Sequence, residues 1–448
     1  RSHPPRYCHI KDISMSKRYF AKKKSRWEPK LLLLTGAIAC VFALILGLPY
    51  LWSHGCSTSQ ESIVVSDVNA VEALENAYVL MAQGAVEEAE KTLQPVLHTN
   101  DPAITPRAVI LQADIEHYRG DGDAALQRLS DAAETFRSSK EYPYIEERRA
   151  RQLEEMDRFD EAQTIYEMLC DNAPTEIRAM GYLGLGRLAE RRSEFVAARD
   201  LYRHTAEDAP WGDPVWEEAV ALMGRINVSM IFSPAETPES RYYTVESGDN
   251  LIAIGMKLNT TQGLLITANN IGDVSRLRLG QRLKYTPKDF SIIIERSTCT
   301  LYVFDNHGLF KQYKVGLGKP GHETVLGKYA IGNKQQNPVW HKPGAGAIEA
   351  GDPTNELGTR WMPMVPADEG LPHDLGIHGT IAPETIGSYS SKGCARMLNS
   401  EVEELYDLVV RATAVEVVET IHDHTDAPAE TTEIPKDTET SPSAPTKK

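Results

Sequence analysis

The spacing of apolar residues falls into four regimes along the chain, and each predicts a different kind of element. Leu31 to Trp52, LLLLTGAIACVFALILGLPYLW, runs 22 residues without a charge. At about 1.5 Å per residue it reaches about 33 Å, enough to cross a hydrocarbon core of about 30 Å as one helix. Residues 66–230 lack strand alternation, are rich in Ala, Glu, Leu and Arg, and repeat their apolar positions at helical spacing. Tyr242 to Pro287 reads as a short strand, two brief amphipathic helices and a closing strand. From Phe290 onward the pattern is β: SIIIERS and CTLYVFD alternate, Asp305-Asn306-His307-Gly308 turns the chain into FKQYKVGLG, and KYAIGNK and ATAVEVVE add strands.

The helical region is periodic. GAVEEA (Gly84–Ala89), GDGDAA (Gly120–Ala125), DRFDEA (Asp157–Ala162) and SEFVAA (Ser193–Ala198) close on alanines 36, 37 and 36 residues apart. Each follows one apolar helical stretch and opens another. A small-residue turn repeated at this period predicts stacked helical hairpins, with the alanine where two helices cross closely. The region resembles tetratricopeptide repeats of slightly long period and degenerate consensus. It reads as a spacer whose apolar stripes are core, or as a scaffold with a protein-binding face. His98, His117, Cys170 and His204 within it have no partner at ligand spacing.

Charge places these parts relative to a membrane. The 48 basic and 63 acidic residues give −15, which excludes an overall basic nucleic-acid binder. Residues 1–30 nevertheless hold ten Lys/Arg against Asp12 and Glu28, so the head is +8 and the remainder −23. A basic head before the apolar run, with no such cluster after it, predicts a cytoplasmic N-terminus and an exported C-terminal part. The expectation is a single transmembrane anchor at 31–52 in the cytoplasmic membrane. A cleaved signal peptide is one alternative, but its apolar region would be about 7–15 residues and end in an A-x-A-like site. Lipidation at Cys56 is another, with Ser53 in place of a Leu-like residue. Met15 is a candidate start. Residues 423–448, rich in Thr, Pro, Glu and Ala, predict a disordered tail. Six scattered cysteines without a CxxC pair exclude a disulfide scaffold and a zinc ribbon.

Residues 231–240 form a Pro/Ser/Glu linker. The segment 242–287 after it carries Tyr243-Thr244-Val245, Gly248-Asp249, Leu251, Ile254, Leu264, Asn269, Leu279, Gly280-Gln281, Leu283 and Pro287. These positions resemble the lysin motif (LysM) end to end, with GDNL where GDTL is usual. The resemblance implies a βααβ fold that binds N-acetylglucosamine-containing glycan between the loops Gly248–Leu251 and Asn269–Asp273. Gly248, Asp249, Asn250 and Asn269 are its candidate substrate-binding residues, and Gly248, Asp249 and Asn269 serve equally well as fold-stabilising ones.

The chemistry lies in Ile377 to Met397, IHGTIAPETIGSYSSKGCARM, where one Cys follows one His by 16 residues. A free thiol near pKa 8.5 is only a few per cent thiolate at neutral pH. An imidazole can take its proton, a neighbouring Arg favours the anion, and Gly393 lets main-chain N–H groups approach an oxyanion. The segment therefore reads as a Cys/His acyl-transfer centre. The pattern HG…(S/T)xGCxR resembles the L,D-transpeptidase (YkuD-like) catalytic domain, supported by Gly316-Leu317-Gly318, Gly327-Lys328-Tyr329, Asn337-Pro338-Val339-Trp340 and Asn355 to Trp361. The family's T-P-T-G turn reads Thr324-Val325-Leu326-Gly327, and Lys392 stands where His is also common.

This resemblance implies a mainly-β domain over 290–420 with Cys394 as nucleophile and His378 as general base. It implies that Gly393 and Cys394 N–H groups form much of the oxyanion hole, that Ser391 holds the nucleophile loop, and that Arg396 orders the site or binds a substrate carboxylate. His373 is a competing base, while His322 and His341 are substrate-side candidates. Trp361 is a candidate substrate platform, as Trp340 is, although both read more readily as core. Cys299 is expected to pack. No metal or organic cofactor is needed.

The expected chain is a multidomain, membrane-anchored enzyme whose partners are peptidoglycan glycan strands and stem peptides. The expected reaction forms 3→3 cross-links through a cysteine thioester. A carboxypeptidase or amidase using the same residues, and a non-catalytic wall tether, are the competing functions.

Overall fold

The computed structural model describes residues 70–421 apart from Asn100, Ala173, Pro343 and Ala345. The basic head, the apolar run 31–52 and the tail 423–448 lie outside the described residues. Among the described residues, no helix is long and apolar enough to cross a membrane. The chain forms two compact units, one from residues up to Asn250 together with Leu264–Pro287, the other from Leu251–Gly263 together with residues from Lys288 onward.

The first unit begins with helices α1 (Ala70–Ala82), α2 (Val86–Leu93), α3 (Ile104–Tyr118), α4 (Gly122–Thr135), α5 (Tyr142–Glu155), α6 (Phe159–Asn172), α7 (Thr175–Arg191), α8 (Phe195–Asp208) and α9 (Pro214–Phe232). Consecutive helices pack on one another. The four repeated segments are hairpin turns: Gly84, Gly120, Asp157 and Ser193 all adopt positive φ, between 58° and 84°. The alanine closing each segment (Ala89, Ala125, Ala162, Ala198) is fully buried at 0% exposure, because only a methyl fits where the helices cross. Glycines do the same on α7, where a Cβ on Gly184 would strike the buried Tyr166 ring and one on Gly186 the Tyr202 ring. Charged side chains join the helices laterally, as where Arg187 reaches Glu154 at 3.1 Å and Glu218 at 3.2 Å.

The segment after α9 is fastened rather than loose. Lys284 Nζ donates to the carbonyls of Met230 (3.1 Å) and Ser233 (2.6 Å) at the C-terminal end of α9, where unpaired carbonyls attract a cation. Arg199, itself buried, pairs with Glu239 at 2.6 Å. Lys284 belongs to β2 (Arg282–Tyr285), which pairs antiparallel with β1 (Arg241–Thr244). Between them in sequence come α10 (Leu251–Lys257) and α11 (Gln262–Ala268), giving the expected order of strand, two helices and strand.

The second unit contains α10 and the β-domain. Its strands are β3 (Ser291–Glu295), β4 (Thr300–Asp305), β5 (Gly308–Lys314), β6 (Leu317–Gly318), β7 (Gly327–Ile331), β8 (Gln335–Gln336), β9 (Trp340–Lys342), β10 (Gly346–Ile348), β11 (Arg360–Pro366), β12 (Gly376–His378), β13 (Tyr389–Ser391), β14 (Ala395–Arg396) and β15 (Ala414–Val418). Nine strands share one sheet in the order β14-β12-β11-β7-β15-β3-β4-β5, with β8 on β11. The last strand enters the middle of the sheet, parallel to β3 and antiparallel to β7, so the domain closes only when its end is made. Ile292, Ile294, Leu301, Val303, Met362 and Met364 form buried rows with the period of two that the sequence shows. The sequence reading did not foresee α12 (Asn399–Leu408), whose buried Val402, Leu405 and Leu408 recur every three residues. Thr261 at the end of the α10 turn donates to the Asp407 carbonyl of α12 at 2.5 Å.

Candidate active site

Two short parallel strands carry His378 and the residues that follow Cys394. β12 and β14 pair with Ile377 opposite Ala395 and His378 opposite Arg396. Cys394, immediately before β14, therefore lies two residues from the position facing His378, on the same face as Arg396. Its thiol donates to the Asp374 carbonyl at 3.7 Å and receives the Gly376 N–H. The loop that presents it needs glycine: Gly393 has φ of 118°, and a Cβ there would sit 2.9 Å from Leu375.

Ser391 closes this loop. Its hydroxyl accepts the Gly393 N–H at 3.1 Å and donates to the Cys394 carbonyl at 2.7 Å, at 1% exposure. This corrects the expected oxyanion hole, because the Gly393 N–H is already bonded to Ser391.

His378 is buried, and its Nδ1 lies 2.7 Å from the Gly379 carbonyl. A carbonyl only accepts, so Nδ1 carries the proton and Nε2 is left as the basic nitrogen. Trp361 stands opposite His378 on β11, with ring centroids 5.8 Å apart, and packs on Gly376. It is half-buried and packs against the His378 ring. Asn399 fixes the chain after the base: its side chain accepts the Thr359 and Thr380 N–H groups (3.3 and 3.2 Å) and donates to the Thr380 carbonyl (3.0 Å). Its position at the start of a helix looks like ordinary capping, so the sequence carries no sign of this role.

Burial sets the protonation states. It drives His378 down to about 4, with Arg396 adding and the Gly379 and Glu356 carbonyls opposing. It pushes the Cys394 thiol up to about 11, with Asp374 adding and the Gly376 N–H and Arg396 opposing. Arg396 does favour the thiolate, as expected, but desolvation outweighs it, and at neutral pH the pair is thiol and neutral imidazole.

The β-domain matches the model of the L,D-transpeptidase catalytic domain (YkuD) over residues 289–417, and residues 243–286 match the LysM domain. A protein of Bacillus subtilis (strain 168) that carries the name L,D-transpeptidase YqjB is 34% identical over 130 residues, covering 29% of this chain and 71% of that one. The YkuD protein of the same organism is 31% identical over 183 residues, covering 39% of this chain and 97% of its own. The chain belongs to the L,D-transpeptidase family. It is a cysteine-dependent acyltransferase with a cell-wall-facing catalytic domain and a LysM domain.

The remaining candidates separate by position. His373 is exposed in the loop before β12, outside the strand that carries the base. His341 is exposed on β9, and His322 places its main-chain carbonyl 3.8 Å from where a Gly393 Cβ would be. Cys299 is buried, as expected of a packing residue. In the LysM domain, Asp249 accepts the Glu246 N–H and the Tyr243 hydroxyl, both at 2.8 Å. Asn269 exchanges two bonds with the Lys284 main chain (2.6 and 2.8 Å) and donates to the Leu265 carbonyl. Both side chains therefore serve the fold. Gly248, at φ of 89°, and Asn250 remain exposed on the turn.

Proposed function

We propose that this L,D-transpeptidase cross-links peptidoglycan stems with Cys394 as nucleophile and His378 as general base. Nε2 of neutral His378 takes the thiol proton as Sγ attacks the carbonyl of the diamino-acid residue in a tetrapeptide stem. The tetrahedral intermediate collapses to a thioester, and the proton passes to the departing D-Ala amine. An amine of a second stem then attacks the thioester, forms the 3→3 bond and returns the thiol. The carbonyls of Gly379 and Glu356 stabilise the transient imidazolium, and the Cys394 N–H is available to the oxyanion. The observation that carries this reading is the pairing of β12 with β14, which sets a buried, singly tautomeric histidine diagonal to the thiol.

The other parts supply location. The exposed Gly248–Asn250 turn of the LysM domain holds glycan and raises the local concentration of stems. The helical hairpins act as a spacer or as a face for a protein partner. The apolar run 31–52 anchors the chain in the cytoplasmic membrane with the catalytic domain outside.

The test is a mass-spectrometric assay of the full chain with purified disaccharide-tetrapeptide. A dimer formed with loss of D-Ala by the wild type, and absent with Cys394→Ala, is expected. A Cys394-dependent tripeptide without dimer would replace transfer by hydrolysis.

A further inference from the structure

Glu356 stands between the active-site strands and the β9–β10 hairpin. Its carboxylate lies 3.3 Å from Arg396 Nη2 and 3.8 Å from Lys342 Nζ. Its own backbone is immobilised by Asn355, which is 2% exposed. The Asn355 amide donates to the carbonyls of Pro338 (2.9 Å) and Glu349 (3.2 Å), and its oxygen accepts the Leu357 N–H at 3.1 Å. Arg396 is held from few directions. Its Nε is buried without a hydrogen-bond partner, so the bond to Glu356 is what orients the guanidinium. Arg396 in turn faces His378 across the strand pair and follows Cys394 by two residues on one face.

We infer that Glu356 is a positioning residue, which acts on the reaction by fixing the Arg396 guanidinium beside the thiol and the base. The inference rests on the Cys394/His378 reading. Physically, the influence of a charge on both reacting groups falls off with its distance, so it must be held close to be useful. Glu356 holds Arg396 through a charge-assisted bond, and the Asn355 anchor keeps Glu356 from following Arg396 when substrate enters. Glu356 touches no reacting atom through its side chain. Lys342 approaches the same carboxylate, and Asp374 acts on the thiol with the opposite sign to Arg396.

The experiment is a double-mutant cycle on the full chain with disaccharide-tetrapeptide: wild type, Glu356→Gln, Arg396→Gln and the pair, with Cys394→Ala as control and Glu356→Asp as conservative variant. Glu356→Gln keeps the side-chain volume, and thermal melts verify folding. Glu356→Gln should lower kcat about tenfold with KM within about twofold, Glu356→Asp should recover part of that loss, and the pair should be no slower than Arg396→Gln alone. A Glu356→Gln rate within twofold of wild type, or losses that multiply in the pair, would overturn the inference. Activity in Cys394→Ala would instead overturn the reading of the site beneath it.

Discussion

At pH 7 the Cys394 thiol should exchange with a small neutral disulfide about 25-fold more slowly than a free cysteine. Burial, reinforced by the Asp374 carboxylate, raises the thiol to about 11 against the opposing Gly376 N–H and Arg396. A free thiol near 8.5 is about 3% ionised at pH 7, and a thiol at about 11 roughly 0.01%, a ratio of about 300. The more basic thiolate is the better nucleophile, with a Brønsted slope of about 0.4–0.5, which returns a factor of about 12. The assay follows the Cys394 peptide by mass spectrometry in the full chain from pH 5 to 11, so that other cysteines do not contribute. The rate should climb about tenfold per pH unit up to about 11. His378→Ala should leave this profile nearly unchanged while abolishing acyl transfer, because the imidazole is neutral above about 4 and serves only once substrate is attacked. A rate plateau below pH 7 would refute the reasoning, since it requires a resting thiolate–imidazolium pair and a desolvation cost smaller than the effect of Arg396.

Three further outcomes follow from other parts of the chain. Ser391→Ala orphans the Gly393 N–H and the Cys394 carbonyl, and should cost about 1–3 kcal/mol for each in denaturant unfolding together with most of the activity. Gly184→Ala forces a methyl into the Tyr166 ring and should destabilise the helical region by about 1–3 kcal/mol, read as a lower urea midpoint. His378 lowers stability in acid: its folded pKa is depressed, so the unfolded chain takes a proton that the folded chain refuses. That loss begins as pH falls below 6.5, reaches about 3 kcal/mol near pH 4 and then levels off, and the difference in unfolding free energy between wild type and His378→Gln over that range measures it.

Much of the architecture is written in local pattern. SIIIE and TLYVFD give strands because β-branched and aromatic residues suit a buried sheet, SIIIE burying alternate residues and TLYVFD both faces over Thr300–Val303. The turns at Gly84, Gly120, Asp157 and Ser193 give hairpins because a tight turn needs a left-handed residue and a close crossing needs an alanine beside it. The Cys394 motif is legible because Gly393 and Ser391 act within a few residues of the nucleophile, where spacing alone carries geometry. α12 was missed because its charged surface hides a three-residue apolar period of only three members.

What the sequence determined by itself was therefore most of the elements and the candidate nucleophile and base. What only the tertiary structure decided was their state and their supports. No local pattern reveals that His378 lies buried against Trp361, that Asn399 fixes the chain after it, or that Glu356 meets Arg396 from 40 residues away. Nor does it reveal that Asp249 and Asn269 are engaged within the LysM fold. Burial and hydrogen-bond partners are sums over neighbours distant in sequence. A motif can name the thiol and the imidazole, but only the packed fold fixes which of them holds the proton.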